Sequence, residues 1–171
     1  MLIRDERSED VSRISQIHYA AFKGHPVHPP GAEPVEHHIV ERLRASGALA
    51  LSLLAEAGGD VVGHIALSPA VVGDDLDGWF LLGPVGVLPR LQGQGIGSGL
   101  VRESLRHMRD IGATGVVLVG DPGFYTRFGF VSVPGLIYTG VPDQYVLAAC
   151  FGSKAPQGEI IAHEAFGVTA E

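Results

Sequence analysis

Apolar residues recur along the chain with two alternating periods, and these lay out its elements. Leu2 and Ile3 suggest a short first strand. Val11, Ile14, Ile17 and Ala21 then keep a helical period. Ser8 ahead of them, with Glu9 and Asp10 in the first turn, predicts a capped helix start. The stretch KGHPVHPPGAE, Lys23 to Glu33, reads as a loop by its prolines and glycines. Beyond Pro34, the fourfold spacing of Val35, Ile39 and Leu43 predicts a second, shorter helix.

Strand signals follow. Ala48 to Ala55 and Asp60 to Val72 are separated by Gly58-Gly59, a hairpin signal. DDLDG leads into the fourth strand, Trp79 to Leu88, and its Asp77-Gly78 step suits a tight turn. Gly83-Pro84 interrupts that strand. Proline donates nothing to a sheet ladder, so the strand must bulge or splay there. Helical spacing returns at Ile96, Leu100, Leu105 and Met108 and ends near Gly112. Gly115 to Val119, GVVLV, is continuously apolar and predicts a fully buried fifth strand. GDPGFYTRFGF predicts a short aromatic helix, and further strands are expected around Val131, Tyr145 to Cys150 and Ile160 to Ala162. The pattern is that of a single α+β domain over residues 1–171: mostly antiparallel strands, then one β-α-β crossover.

Composition narrows the function classes. With 46% apolar and 18% charged residues, the chain is an ordinary globular one. A net charge of -7 argues against nucleic-acid binding, which needs clustered Lys and Arg. The single cysteine, Cys150, excludes an internal disulfide framework and fits a reducing compartment. MLIRDERSED has no apolar core of a secretory signal, and no uncharged stretch reaches the length of a membrane span. A soluble, cytoplasmic protein is expected, with no membrane or nucleic-acid partner.

The densest chemical signal is LQGQGIGSGL, residues 91–100, with glycines at 93, 95, 97 and 99 ahead of a helix. It is no Walker A loop, because no Gly-Lys-Ser or Gly-Lys-Thr closes it. It is no dinucleotide fingerprint either: six positions counted from Gly93 end on Ser98, and from Gly95 on Leu100. A helix N-terminus carries about half a positive charge and unsatisfied amides, and glycines let those amides approach phosphate oxygens closely.

Gln92-Gly93-Gln94-Gly95-Ile96-Gly97 matches the (Arg/Gln)-x-x-Gly-x-(Gly/Ala) signature of the GNAT acetyltransferase family. The resemblance extends from Leu82 to Phe130: VGVLPRLQGQGIGSGL resembles that family's fourth strand and pyrophosphate loop, and FYTRFGF the helix after its fifth strand. It implies an α+β GNAT fold, a mixed, mostly antiparallel sheet flanked by helices, with the fourth and fifth strands splayed apart. It further implies that Gln92 to Gly97 (Gln92, Gly93, Gln94, Gly95, Ile96, Gly97) and Ser98 hold the pyrophosphate of the cosubstrate acetyl-CoA. By the same resemblance the backbone of Val85, Gly86 and Val87 pairs with the pantetheine arm like an added strand. Asp121, Phe124 and Phe128 would flank its far side, and Tyr125 would stand beside the leaving thiolate as catalytic acid.

Many family members carry a glutamate on the fourth strand, but Trp79, Phe80, Leu81 and Leu82 supply no carboxylate. His64, Glu33, His37, Asp74, Asp75 and a water chain all remain candidates for the base. His25, His28, His37 and His38 make a poor zinc site without cysteine or spaced carboxylates, so no metal is expected. The resemblance puts their segment over the acceptor pocket, either in contact with the acceptor or as a polar lid. Asp74, Asp75 and Asp77 lack the spacing of a calcium loop and read as a turn. Cys150, in apolar VLAAC with no basic neighbour, is a poor nucleophile. The expected activity is direct acetyl transfer to a primary amine, of a small molecule or a protein, in a ternary complex. The alternatives are an acetyl-CoA-sensing module without turnover and, against the glycine spacing, a nucleotide oxidoreductase. The acceptor and the oligomeric state are not legible, although members of the family often form homodimers through late strands.

Overall fold

A computed structural model describes residues 1–167. In chain order the elements are β1 (Leu2–Asp5), α1 (Val11–Phe22), α2 (Glu36–Ala45), β2 (Leu51–Ala57), β3 (Asp60–Val72) and β4 (Asp75–Val87). They continue with α3 (Ile96–Asp110), β5 (Gly115–Val119), α4 (Pro122–Tyr125), β6 (Val131–Ser132), β7 (Leu136–Ile137), β8 (Val146–Cys150) and β9 (Gly158–Ile161). The sheet runs β1-β2-β3-β4-β5-β8-β6, with β9 bridging β3 and β7. Along the main path every pair is antiparallel except β4–β5, the two strands joined by α3. This is the mixed, mostly antiparallel sheet that the pattern predicts.

Period-2 alternation sends each strand's side chains to opposite faces. On one face Leu53, Ile65, Leu67, Val116, Leu118 and Leu147 pack against Ile96, Leu100, Val101, Leu105 and Met108 of α3. On the other, Leu54 and Ala66 meet Ile14 of α1 and Val40 of α2. Farther along that second face, Trp79, Leu81, Val117 and Ala148 close over Leu136 and Ile160.

The register of β3 on β4 slips at one place. Ile65 faces Val85 and Leu67 faces Leu82, so Ala66 alone opposes Gly83 and Pro84. This is the bulge expected from the proline. β5 pairs with β4 only from Trp79 to Leu81. Beyond Leu81 the outer edge of β4 is unpaired by β5, which leaves the gap between the splayed fourth and fifth strands.

Several expectations need correction. Ser8 does not cap α1; it opens a short 3-10 turn, and the Asp10 carboxylate accepts the Arg7 amide at 2.7 Å and the Arg4 guanidinium at 2.8 and 3.0 Å. A buried carboxylate that accepts from two donors outcompetes one exposed hydroxyl. The β3–β4 turn lies before Asp75, and Asp77-Gly78 falls inside β4. β2 begins at Leu51 rather than Ala48, and the two-residue β7 shows no periodic signal.

Candidate active site

The gap beside β4 is a cleft of about 560 Å³. Val85 and Val87 form one wall, and the loop and first turn of α3 form the end. Phe124, Tyr125 and Arg127 stand opposite, and Ala21, Phe22 and His25 close it from the end of α1.

Gly95 is the residue before α3 and has φ +87°, the left-handed region where a Cβ is strained. Gln92 ties this loop to the strand by donating its amide to the Val87 carbonyl at 3.0 Å. No side chain caps α3 and no acidic residue occupies its first turn. Its first amides therefore face the cleft without an intrahelical partner, and the Arg127 side chain lines the same cleft. Within a chain of net charge -7, this end of the cleft suits an anion.

Of the residues singled out from the sequence, Val85, Val87, Gln92, Gly93, Gly95, Ile96, Gly97, Ser98, Phe124 and Tyr125 line the cleft. Gly86 turns to the opposite face, where a Cβ would meet the His18 ring. Gln94 is exposed. Asp121 accepts the Gly123 amide at 2.9 Å and so caps α4. Phe128 points into the core, with the Arg102 guanidinium 5.1 Å from its ring centroid. His25, whose segment was expected over the acceptor pocket, lines the cleft. Sequence reasoning missed Ala21, Phe22, Leu91 and Arg127. The basic residue inside YTRFGF was the one readable signal among them.

Tyr125 packs edge-on against Phe124 and Phe130, with centroids 4.9 and 5.8 Å away. Burial pushes its phenol up to about 12. Of the four histidines, only His25 lines the cleft. His28 is bound to Glu36 at 2.7 Å, and His38 to Glu41 at 3.2 Å. Among the described residues no group of His, Cys, Asp and Glu could hold a metal ion.

The base candidates disperse. Glu33 accepts from both Tyr19 and Lys23 at 2.6 Å, which holds its carboxyl low. Asp75 accepts from the Trp79 indole at 3.2 Å, at the far end of β4. His64 is fully buried on the α1 face, bonded to His18 and Ser52. Cys150 is exposed, with Sγ 3.0 Å from the Lys154 carbonyl. No helix among the described residues is long and apolar enough to cross a membrane.

Comparison with known proteins agrees with this geometry. The acetyltransferase (GNAT) family profile matches residues 12–130. A curated relative from Escherichia coli (strain K12), "Uncharacterized N-acetyltransferase YhbS", is 37% identical over 132 residues, 76% of this chain and 73% of its own. A crystal structure of YhbS in complex with CoA superposes with TM-score 0.85 at 30% identity, covering 98% of this chain and 92% of the other. A GNAT family acetyltransferase from Brucella melitensis, crystallised with acetyl-CoA, gives TM-score 0.83 and 44% identity, over 96% of this chain and 97% of its own. With its fold, its glycine loop and its sequence in accord, the chain belongs to the GNAT family of acetyltransferases.

Proposed function

We propose that this protein is an acetyl-CoA-dependent N-acetyltransferase that passes the acetyl group directly to a primary amine in a ternary complex. The observation that carries this reading is the unpaired edge of β4 running into the uncapped N-terminus of α3. One feature offers strand-like backbone to an extended amide chain, the other offers amides to a pyrophosphate. The solved relatives bound to acetyl-CoA and CoA support the same assignment.

In this reading Gln92 to Ser98 hold the pyrophosphate, and Val85 to Val87 pair with the pantetheine arm. The reaction couples an attacking neutral amine to loss of a thiolate. Tyr125 stabilises that thiolate as a hydrogen-bond donor. A phenol at about 12 lies some 3.5 units above an ordinary thiol, so complete proton transfer would be uphill by roughly 5 kcal/mol. A retained, directed O–H bond avoids that step. The acceptor is a small amine or a protein amino group, presented from the side of His25 and Phe22.

The test is release of CoA thiol against a panel of primary amines. At least one amine is expected to turn over. Tyr125→Phe should lower kcat about 10²-fold while acetyl-CoA affinity stays within twofold. Tight acetyl-CoA binding without turnover across the panel would instead assign a sensing module.

A further inference from the structure

Tyr125 lines the cleft, and both its backbone and its ring are held there. The backbone belongs to α4, whose start is tied down. Pro122 opens the turn, Asp121 accepts the Gly123 amide at 2.9 Å, and the Asp121 carbonyl accepts the amides of Phe124 and Tyr125 at 3.0 and 3.1 Å. The ring meets Phe124, Phe128 and Phe130 edge-on, with centroids 4.9, 6.3 and 5.8 Å away. The hydroxyl bonds to no protein group among the described residues, and burial alone raises it. The phenol is a free donor on a held ring.

The fourth side of this cage is Gly120, just past the end of β5. A Cβ at Gly120 would lie 2.6 Å from Tyr125 Cε2, 3.0 Å from its Cδ2 and 3.1 Å from Leu118 Cδ1. Carbon atoms in contact stand about 3.5–4.0 Å apart, so the ring would have to retreat by about 1 Å. The three phenylalanines already pack its other sides. The Gly120 backbone is fastened as well, its amide donating to the Tyr145 carbonyl at 2.9 Å.

Backbone conformation does not call for a glycine here. Gly129, at the far end of the same segment, has φ +94°, where a Cβ is strained. Gly120 lies outside the left-handed region, so an alanine suits its backbone. What excludes a side chain at position 120 is chiefly the Tyr125 ring.

We propose, resting on the transferase reading, that Gly120 is a positioning residue: its missing Cβ lets the phenol sink against the end of β5, to the depth from which its O–H meets the leaving sulfur. As the amine nitrogen bonds to the carbonyl carbon, the carbon–sulfur bond breaks and its electron pair leaves on sulfur. The retained O–H of Tyr125 stabilises that charge, and the surplus proton of the amine goes to solvent. A donor displaced by about 1 Å forfeits up to about 10²-fold in rate.

Gly120→Ala, read against Tyr125→Phe, tests this. With the fastest amine of the panel, kcat of Gly120→Ala should fall about 10²-fold, while KM and acetyl-CoA affinity stay within about twofold. Added to Tyr125→Phe, which keeps the ring and lacks the hydroxyl, it should change kcat by less than about twofold, because no donor is left to misplace. Stability separates the clash from the chemistry. Gly120→Ala should lower the unfolding temperature of the wild type and leave that of Tyr125→Ala unchanged or raised, since without the ring the new methyl meets only the end of Leu118. If Gly120→Ala alone does not fold, recovery of the fold in the Tyr125→Ala background supports the cage, and loss of the fold in both overturns it. Unchanged kcat in Gly120→Ala, or an equal fall with and without the Tyr125 hydroxyl, overturns the positioning role and leaves the transferase reading standing. Absence of turnover in the wild type removes the transferase reading, and this role with it.

Discussion

The two faces of the sheet are built on different principles. Against α3 the core is almost wholly aliphatic and aromatic, and the one buried polar side chain there among the described residues, Ser104, is satisfied by the Leu100 carbonyl four residues back. Under α1 and α2 lie His18, His64, Ser68 and Asp10, all buried. The side-chain atoms without a partner among the described residues, on His18, His37 and Ser68, also belong to that side. An aliphatic face contributes about 25 cal/mol per Å² of area removed from water, whereas a polar face returns little net stability. The α3 face thus holds the glycine loop rigidly, and the α1 face spends stability on directed hydrogen bonds.

The largest effect expected from this contrast is on the dry face. Leu100, fully buried under β3, should cost about 2–5 kcal/mol of unfolding free energy when changed to Ala, measured by denaturant titration. Gly95→Ala forces a Cβ into left-handed backbone and should cost about 1–2 kcal/mol, together with weaker acetyl-CoA binding by calorimetry. The smallest stability change belongs to the polar face. His18→Leu combined with His64→Leu removes both partners at once and should stay within about 1 kcal/mol of wild type near neutral pH.

The same pair sets a pH dependence. In the native state burial keeps both rings neutral, and in the unfolded chain each titrates near 6.5. Below that value the unfolded state binds protons that the native state refuses, so stability declines from about pH 6.5 toward pH 3. The double Leu variant should show a flatter decline over this window. An equal slope would mean that other groups govern acid unfolding.

The contrast also explains what the sequence could reveal. GVVLV marks β5 from end to end, and Gly58-Gly59 marks its hairpin, because each is a local pattern with one structural solution. The glycine loop was legible for the same reason, and most of the cleft residues followed from it. The buried polar chain under α1 was not. Glu6, His18, Ser52 and His64 lie in four separate segments with no spacing rule, and only the β2–β3 register and the packing of α1 bring them together. Ala21 and Phe22 escaped notice likewise, because a helix period reports which side is buried and not what it covers. Asp121 and Phe128 were singled out by the family resemblance, and here Asp121 caps α4 while Phe128 packs into the core.

The most direct test of the account is thermal unfolding with acetyl-CoA, CoA and NAD compared side by side. A ligand at 100 times its dissociation constant adds about 2.7 kcal/mol to stability. Stabilisation by both CoA species and not by NAD is the predicted result. No shift with either CoA species would mean that the uncapped start of α3 does not hold their pyrophosphate, and would contradict the assignment of the cleft.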